Sequence, residues 1–424
     1  MKPLQIAVEY ERGLHHGTNF TVADLAPQFL SHLLNKDEKR GEAKAYFVKE
    51  GTCHQVEFNS LPASSLTELV RDFLKAEEIS DRISAELGVV NISISETGAG
   101  IAKINDYDEK VINRIRGYQT IFGKEAVQKL IRISGIHIHI DQYQDRLVDQ
   151  FNVLTALRPT IALTSTSSIS HQGENSVNCH RYITIADPIE GVFAAIPEER
   201  RYIKSMEDLV KRDKDRYEKW VAAFASTWNR HVAEGLPLTY NLNTFKKNFN
   251  IENTGYPDVR FRPRIGKGTY ELRINDTAPL DIVMAQAALV FGYINRIMQE
   301  GIPVEMSQSQ QHQFHSRKVL LPSSEKWDEY TSYAVQSGLQ NPELNQYLYS
   351  LLEFAEQGLP EPEQHFLQPF YNLLSEGNIA SQLLHRLGHK PHYSPAEAAL
   401  ANQWMWERHK KGVADIQERT KPKN

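Results

Sequence analysis

Five segments of the chain alternate apolar and polar residues with a period of two, the pattern of strands with one packed and one open face. In "IAVEYE", Ile6, Val8 and Tyr10 fall on one face, and Glu9 and Glu11 on the other. In "QVEFN", Val56 and Phe58 oppose Gln55, Glu57 and Asn59. The stretch "ISGIHIHID" (Ile133–Asp141) sets His137 and His139 against Ile136, Ile138 and Ile140. "VRFR" sets Val259 and Phe261 against Arg260 and Arg262, and "YELRIND" sets Leu272 and Ile274 against Glu271, Arg273 and Asn275. These patterns predict a strand over Leu4–Glu11, a hairpin over Ala45–Ser60 turning at Glu50-Gly51, and a hairpin over Asp258–Asp276 turning at Gly266-Lys267-Gly268. Gly88–Ser95 reads as one more short strand.

Between them the period lengthens to that of helices. Helices are expected over Val22–Leu34 with Thr21 as N-cap, Ser64–Glu78, Asp108–Ile121, Asp208–Ala233 and Pro279–Gln299. Asp145–Leu163 reads as a helix broken or kinked at Pro159. After Met306 the pattern is helical to the end, with polar loops. Hairpins make much of the sheet antiparallel, so the expected class is α+β. Residues 1–305 would form the sheet-bearing body, and residues 306–424 a helical layer packed on it.

Composition narrows the setting. The 424 residues are 41% hydrophobic and 24% charged, with a net charge of −5, which argues against a non-specific nucleic-acid partner. The best apolar run, Ala285–Ile294, is about half a membrane span, so no membrane partner is expected. The N-terminal "MKPLQIAVEYERG" lacks the apolar core of a signal peptide. Cys53 and Cys179 form no Cys-x-x-Cys pattern and read as reduced thiols of a cytoplasmic protein.

A solvated face of an antiparallel sheet produces the same alternation. Such faces, however, usually carry Thr, Lys, Ser and Gln. Here the polar set is Glu, His, Arg and Asn. Glu9 beside Glu11 would repel unless a cation lay between them. A carboxylate-rich site with an imidazole suits Mg²⁺ or Mn²⁺ better than Zn²⁺. Arginines on the same faces suggest a polyanionic substrate. A second reading starts from His-x-His as the opening of an amidohydrolase-like metal-dependent hydrolase site. It requires further histidines at strand ends, whereas His171, His180, His312 and His315 sit in loop-like or Gln/Ser-rich contexts. A non-catalytic binding protein, the third class, has no need of clustered carboxylates. The chain has no Walker-type loop and no Gly-x-Ser-x-Gly elbow, and "TSTSS" (Thr164–Ser168) reads as a small-residue helix end.

Several of these stretches, taken in order, resemble the carboxylate–amine ligase family, the bacterial type-2 glutamate–cysteine ligase-like proteins of the glutamine synthetase superfamily. "AVEYE" resembles the family's Gly-x-Glu-x-Glu strand, with Ala7 where glycine is usual. "VEFNSLPASSLTELVRDF" resembles a Glu-bearing strand followed by a Ser-capped helix. "SGIHIHID" resembles the His-x-His-Gly strand, with Asp141 in place of glycine. "LRPTIALTSTSSISHQGENSVNCHR" and "DVRFRPRIGKGTYELRINDT" resemble the segment ending at Arg181 and the late Glu-x-Arg hairpin. The matches spread over Ile6–Ile294.

The resemblance implies a curved, mostly antiparallel sheet of glutamine synthetase catalytic type with flanking helices. It implies Glu9, Glu11, Glu57, His139 and Glu271 as metal ligands, with His137 as a ligand or as the group that orients one. Arg273 would face the transferred phosphate, and Arg181 would bind a second phosphate or a carboxylate. Arg262, Arg264 and Lys267 of the late hairpin would hold the nucleotide. The implied reaction uses ATP and Mg²⁺ (or Mn²⁺) to join a carboxylate and an amine through an acyl phosphate. The substrates are small amino acids and amines, glutamate and cysteine being the family's best-known pair. A homo-oligomer is left open.

Overall fold

The computed structural model describes residues 3–35, 47–96, 103–104, 108–166, 178–187, 191–263, 268–307, 312–315 and 317–421. Its main sheet has seven strands: β1 (Ile6–His16), β2 (Phe47–Lys49), β3 (Gln55–Asn59), β4 (Val89–Ile92), β5 (Gly135–Asp141), β6 (Val259–Arg262) and β7 (Thr269–Asp276). The order is β2-β3-β1-β5-β7-β6, with β4 on the far half of β1, and every pairing is antiparallel. The expected α+β architecture is therefore present. β1 runs five residues beyond Glu11 because its second half gains a partner of its own, with Gly13 opposite Ile92 and His16 opposite Val89.

One face of this sheet carries Ile6, Val8, Tyr10, Val56, Phe58, Ile136, Ile138, Ile140 and Leu272 into the main core. Helices Leu66–Leu87 and Leu280–Gln299 supply the other side of that core. The second is long and apolar enough to cross a membrane, but 94% of its apolar stretch is buried inside the molecule. Helix Leu66–Leu87 starts where Ser65 accepts the Glu68 amide and stops at Gly88, whose φ of 67° few other residues adopt.

Four expectations need correction. The first helix is Ala26–Asn35, not a helix from Val22, because the backbone before it pairs with β1: His16 N–H donates to Thr21 C=O and Ala23 N–H to Leu14 C=O. The helix expected over Asp208–Ala233 is two, Met206–Ser226 and Trp228–Ala233, separated at Thr227. The region after Met306 is not helical throughout. Val304–Met306 (β8), Gln313–His315 (β9) and Lys318–Leu321 (β10) form a second, three-stranded sheet before the helices begin at Ser324. Strands of three or four residues are too short to show a period. Finally, the β5–β7 register slips: Ile136 faces Asn275 while Ile138 faces Leu272, so Arg273 and Ile274 together oppose His137. The bulge turns Asn275 away from the polar face, and its side chain accepts from Thr164 Oγ1 at 3.3 Å. The segment Asp145–Leu163 breaks as expected around Pro159, into Leu147–Thr155, a 3₁₀ turn and Ile161–Thr164.

The helices after residue 323 share the main core with the sheet. The last, Pro395–Arg419, is tied down by polar contacts. Arg408 donates to Asp281 at 2.6 Å, and His409 Nε2 lies 3.1 Å from Glu77. A second, aromatic core of Tyr118, Phe193, Trp220 and Phe249 joins helices Glu109–Phe122 and Met206–Ser226. Helix Glu109–Phe122 faces the open side of the sheet, and the space between them is the site.

Candidate active site

The register of the sheet, more than the alternation along each strand, assembles this site. Glu11 sits directly opposite Glu57, and Glu9 opposite His137. His139 and Arg260 flank Glu271 on either side. A cavity of about 290 Å³ opens over Glu9, Glu11, Glu57, His137 and Arg260 of this row, walled on the other side by Val111, Arg114, Ile115 and Tyr118, while His139 and Glu271 are not among its lining residues.

Two groups of metal-ligating atoms form there. Glu9, His137 and Glu271 offer atoms within 4.8 Å of one another, and so do Glu11, Glu50 and Glu57. Glu50 was not among the residues expected from the sequence. It lies after β2, in the turn of the hairpin, where no strand period marks it. Of the two histidines, His137 is the one drawn between Glu9 and Glu271, with Nδ1 2.7 Å from Glu9 Oε2 and 3.8 Å from Glu271 Oε1. His139 Nε2 reaches the other Glu9 oxygen at 2.9 Å. Arg181 donates to His137 Nε2 at 3.2 Å. A guanidinium only donates, so in this arrangement Nε2 accepts and the ring proton sits on Nδ1, toward Glu9.

The arginines interleave with the carboxylates. Glu271 is fully buried and takes Arg262 Nε on one oxygen and Arg273 Nη1 on the other. Arg181 donates to the Arg273 carbonyl, and its side chain passes so close to Gly135 that any Cβ there would collide with it. Gly135 N–H in turn donates to Glu11 at 2.6 Å. Arg114 and Arg260 line the same cavity; Arg260 was expected on the polar face of its strand but given no role, and Arg114 was not anticipated. Arg264 and Lys267 lie outside the described residues, as does Gly266 of the turn expected at Gly266-Lys267-Gly268.

The electrostatics fit a site built for cations and anions together. Burial works to raise the Glu9 carboxyl, but hydrogen bonds from His137 and His139 hold it well below the usual range. Glu11 is pushed up to about 8, by burial and then by the charge of Glu50. Glu57 is raised well above its ordinary value by burial and by Glu50 and Glu9. Arg273 is pushed down to about 9 by burial and by Arg260, and Arg260 to about 10 by burial and by Arg262. Like charges crowd like charges, the condition that a bound cation and a bound polyanion would relieve. The oxygen-rich donor set fits Mg²⁺ or Mn²⁺.

The hydrolase alternative needs more histidines here. His180 is instead paired with Glu96 at 2.8 Å, and His312 lies against Tyr330 at 3.1 Å. His315 is in β9 of the small sheet. His171 lies outside the described residues.

A family model, that of glutamate-cysteine ligase family 2, matches residues 8–399. Among solved structures, a bifunctional glutathione synthetase from Pasteurella multocida is similar with a TM-score of 0.55 at 13% identity, over 96% of this chain and 52% of that one. The chain thus spans about half the length of that protein. A glutamate–cysteine ligase from Francisella tularensis, solved in complex with AMP, is similar with a TM-score of 0.52 at 11% identity, over 100% of this chain and 95% of that one. At these identities the likeness is one of fold. No curated protein matches the chain by sequence.

Proposed function

The chain belongs to glutamate-cysteine ligase family 2, and from that membership we propose that it is an ATP-dependent carboxylate–amine ligase. The observation that supports this most is the pairing, in one cavity, of two carboxylate groups with the arginines of β6 and β7. Glu9, His137 and Glu271 would hold one divalent cation, for which the His137 proton would move from Nδ1 to Nε2 and Arg181 would release that nitrogen, and Glu11, Glu50 and Glu57 would hold a second. Such cations would neutralise negative charge that builds on the transferred phosphoryl group.

The chain's own groups would act as follows. A substrate carboxylate attacks the γ-phosphorus of ATP, an acyl phosphate forms, and ADP leaves. The amine then attacks the acyl carbon, phosphate departs with the bonding pair, and the amine loses a proton to give the amide. Arg262 and Arg273 would let go of Glu271 and contact the transferred phosphoryl group, donating where negative charge develops. Arg181 would hold a second phosphate or a carboxylate. Helix Glu109–Phe122 would exclude water, which would otherwise hydrolyse the acyl phosphate. Arg264 and Lys267 keep the nucleotide-binding role that the resemblance implies. Glutamate and cysteine are the first pair to try, in keeping with the family. The two buried cysteines, neither in a disulfide, accord with a reducing, cytoplasmic setting.

The direct test incubates the protein with Mg²⁺, ATP and pools of amino acids and amines, and follows phosphate release. ADP and phosphate should appear only when both a carboxylate and an amine are present. Release of AMP and pyrophosphate, or product without nucleotide, would contradict the reading.

A further inference from the structure

Arg273 lies in the bulge of β7, so its pairing with β5 does not by itself fix its direction. Its amide is held from the other edge: Arg273 N–H donates to Asp258 C=O at 2.8 Å. Asp258, the residue before β6, is buried, and two arginines hold its carboxylate. Arg158 Nε donates at 2.5 Å, and Arg200 Nη1 donates to the second oxygen. Arg158 is itself buried, and its guanidinium lies 3.4 Å from the ring centroid of Trp327. Trp327 belongs to helix Ser324–Gln336 of the C-terminal region, and its indole N–H donates to Thr155 C=O at 3.0 Å. Two residues before Asp258, Tyr256 sets its ring 5.5 Å from the Arg273 guanidinium.

A line of contacts therefore runs from the C-terminal region through Trp327, Arg158 and Asp258 to Arg273. We infer that Asp258 is a positioning residue for Arg273, and that the C-terminal region completes the site by clamping Asp258 through Arg158. The inference rests on the ligase reading for what Arg273 touches, but not for the clamp. The clamp acts on the irregular strand end that aims the arginine, where a small shift in direction is enough to misplace a bidentate donor.

The test uses the full chain with Asp258→Asn, Trp327→Leu and Trp327→Phe. Trp327→Leu removes the stacked ring without leaving a buried charge unpaired, so it serves if Asp258→Asn does not fold. Amide hydrogen exchange is read on peptides spanning Arg273 and, for reference, on β1 and β3. Affinity for inorganic tripolyphosphate with Mg²⁺ is read by calorimetry. Asp258→Asn and Trp327→Leu should speed exchange at Arg273 selectively and weaken tripolyphosphate by about tenfold, the weight of one misaligned charged hydrogen bond. Trp327→Phe, which keeps a ring over Arg158, should stay near wild type in both. Unchanged protection at Arg273, or faster exchange in β1, β3 and β7 alike, overturns the clamp. A wild-type chain that binds no tripolyphosphate overturns the ligase reading instead, and the exchange comparison still decides the clamp.

Discussion

The two faces of β1 bury charge in opposite ways. On the packed face Arg12 donates to both Glu77 oxygens at 2.7 and 2.9 Å, His409 Nε2 meets Glu77 at 3.1 Å, and Tyr10 OH donates to Ala278 C=O at 2.7 Å. Burial works to raise the Glu77 carboxyl, yet Arg12 and His409 pull it down to about 2. One residue earlier on the same strand, Glu11 points to the other face, and burial and Glu50 push it up to about 8. The first network satisfies itself, and its place is between the sheet and the last helix. The second gathers like charges and leaves the resolution to whatever binds. Buried charge that is paired supports a fold, whereas buried charge that is crowded marks a site.

The strongest way to break this contrast is on the packed face. Arg12→Ala should leave Glu77 without its guanidinium and cost about 3–5 kcal/mol of stability, read by urea or thermal unfolding. A loss under 1 kcal/mol (about the weight of an exposed pair) would remove the structural reading of this network.

On the open face the cost should be read first in rate. Glu271→Gln keeps shape and removes charge, while Arg273→Lys keeps charge and loses the bidentate fork. Each should lower turnover by at least about 10²–10³, or roughly 3–4 kcal/mol. Near-normal turnover with intact metal dependence would take this pair out of the mechanism.

The pH dependence of stability separates the faces again. The Glu77 carboxyl is depressed in the folded chain, from 4.5 to about 2, so its contribution is complete above pH 4.5 and is lost as pH falls toward 2. The difference in unfolding free energy between wild type and Glu77→Gln should shrink by about 3 kcal/mol across that window. A difference independent of pH between 5 and 2 would show that the charge of Glu77 does not matter.

The smallest expected effect has the opposite sign. In protein stripped of divalent cations, Glu11→Gln should raise the melting temperature, because it removes one of three crowded carboxylates. Adding Mn²⁺ should stabilise wild type more than the variant, by up to about 2–3 kcal/mol at a hundredfold excess over the dissociation constant. A lower melting temperature for the cation-free variant would make Glu11 a structural residue like Glu77.

Which side chains face the site was readable along each strand. Alternation alone put Glu9, Glu11, Glu57, His137, His139, Glu271 and Arg273 on the open face, because a strand's direction repeats every two residues whatever lies beside it. Alternation also gave Ile6, Val8, Tyr10, Phe58 and Leu272 to the core. Glu50 escaped because turns have no period, and Arg114 because a helical period names a face without naming what it faces. β8, β9 and β10 escaped because they are too short to repeat.

The sequence by itself determined the antiparallel class, the open-face set and the ordered motifs of the family, since all of these rest on local backbone geometry. Only the tertiary structure decided that Glu11 meets Glu57 and Glu50, that His137 and not His139 lies between Glu9 and Glu271, and that Asn275 turns inward at the bulge. Those outcomes depend on strand register between segments from about forty to more than a hundred residues apart. A one-residue slip between strands leaves each strand's own pattern untouched while changing every neighbour across the sheet.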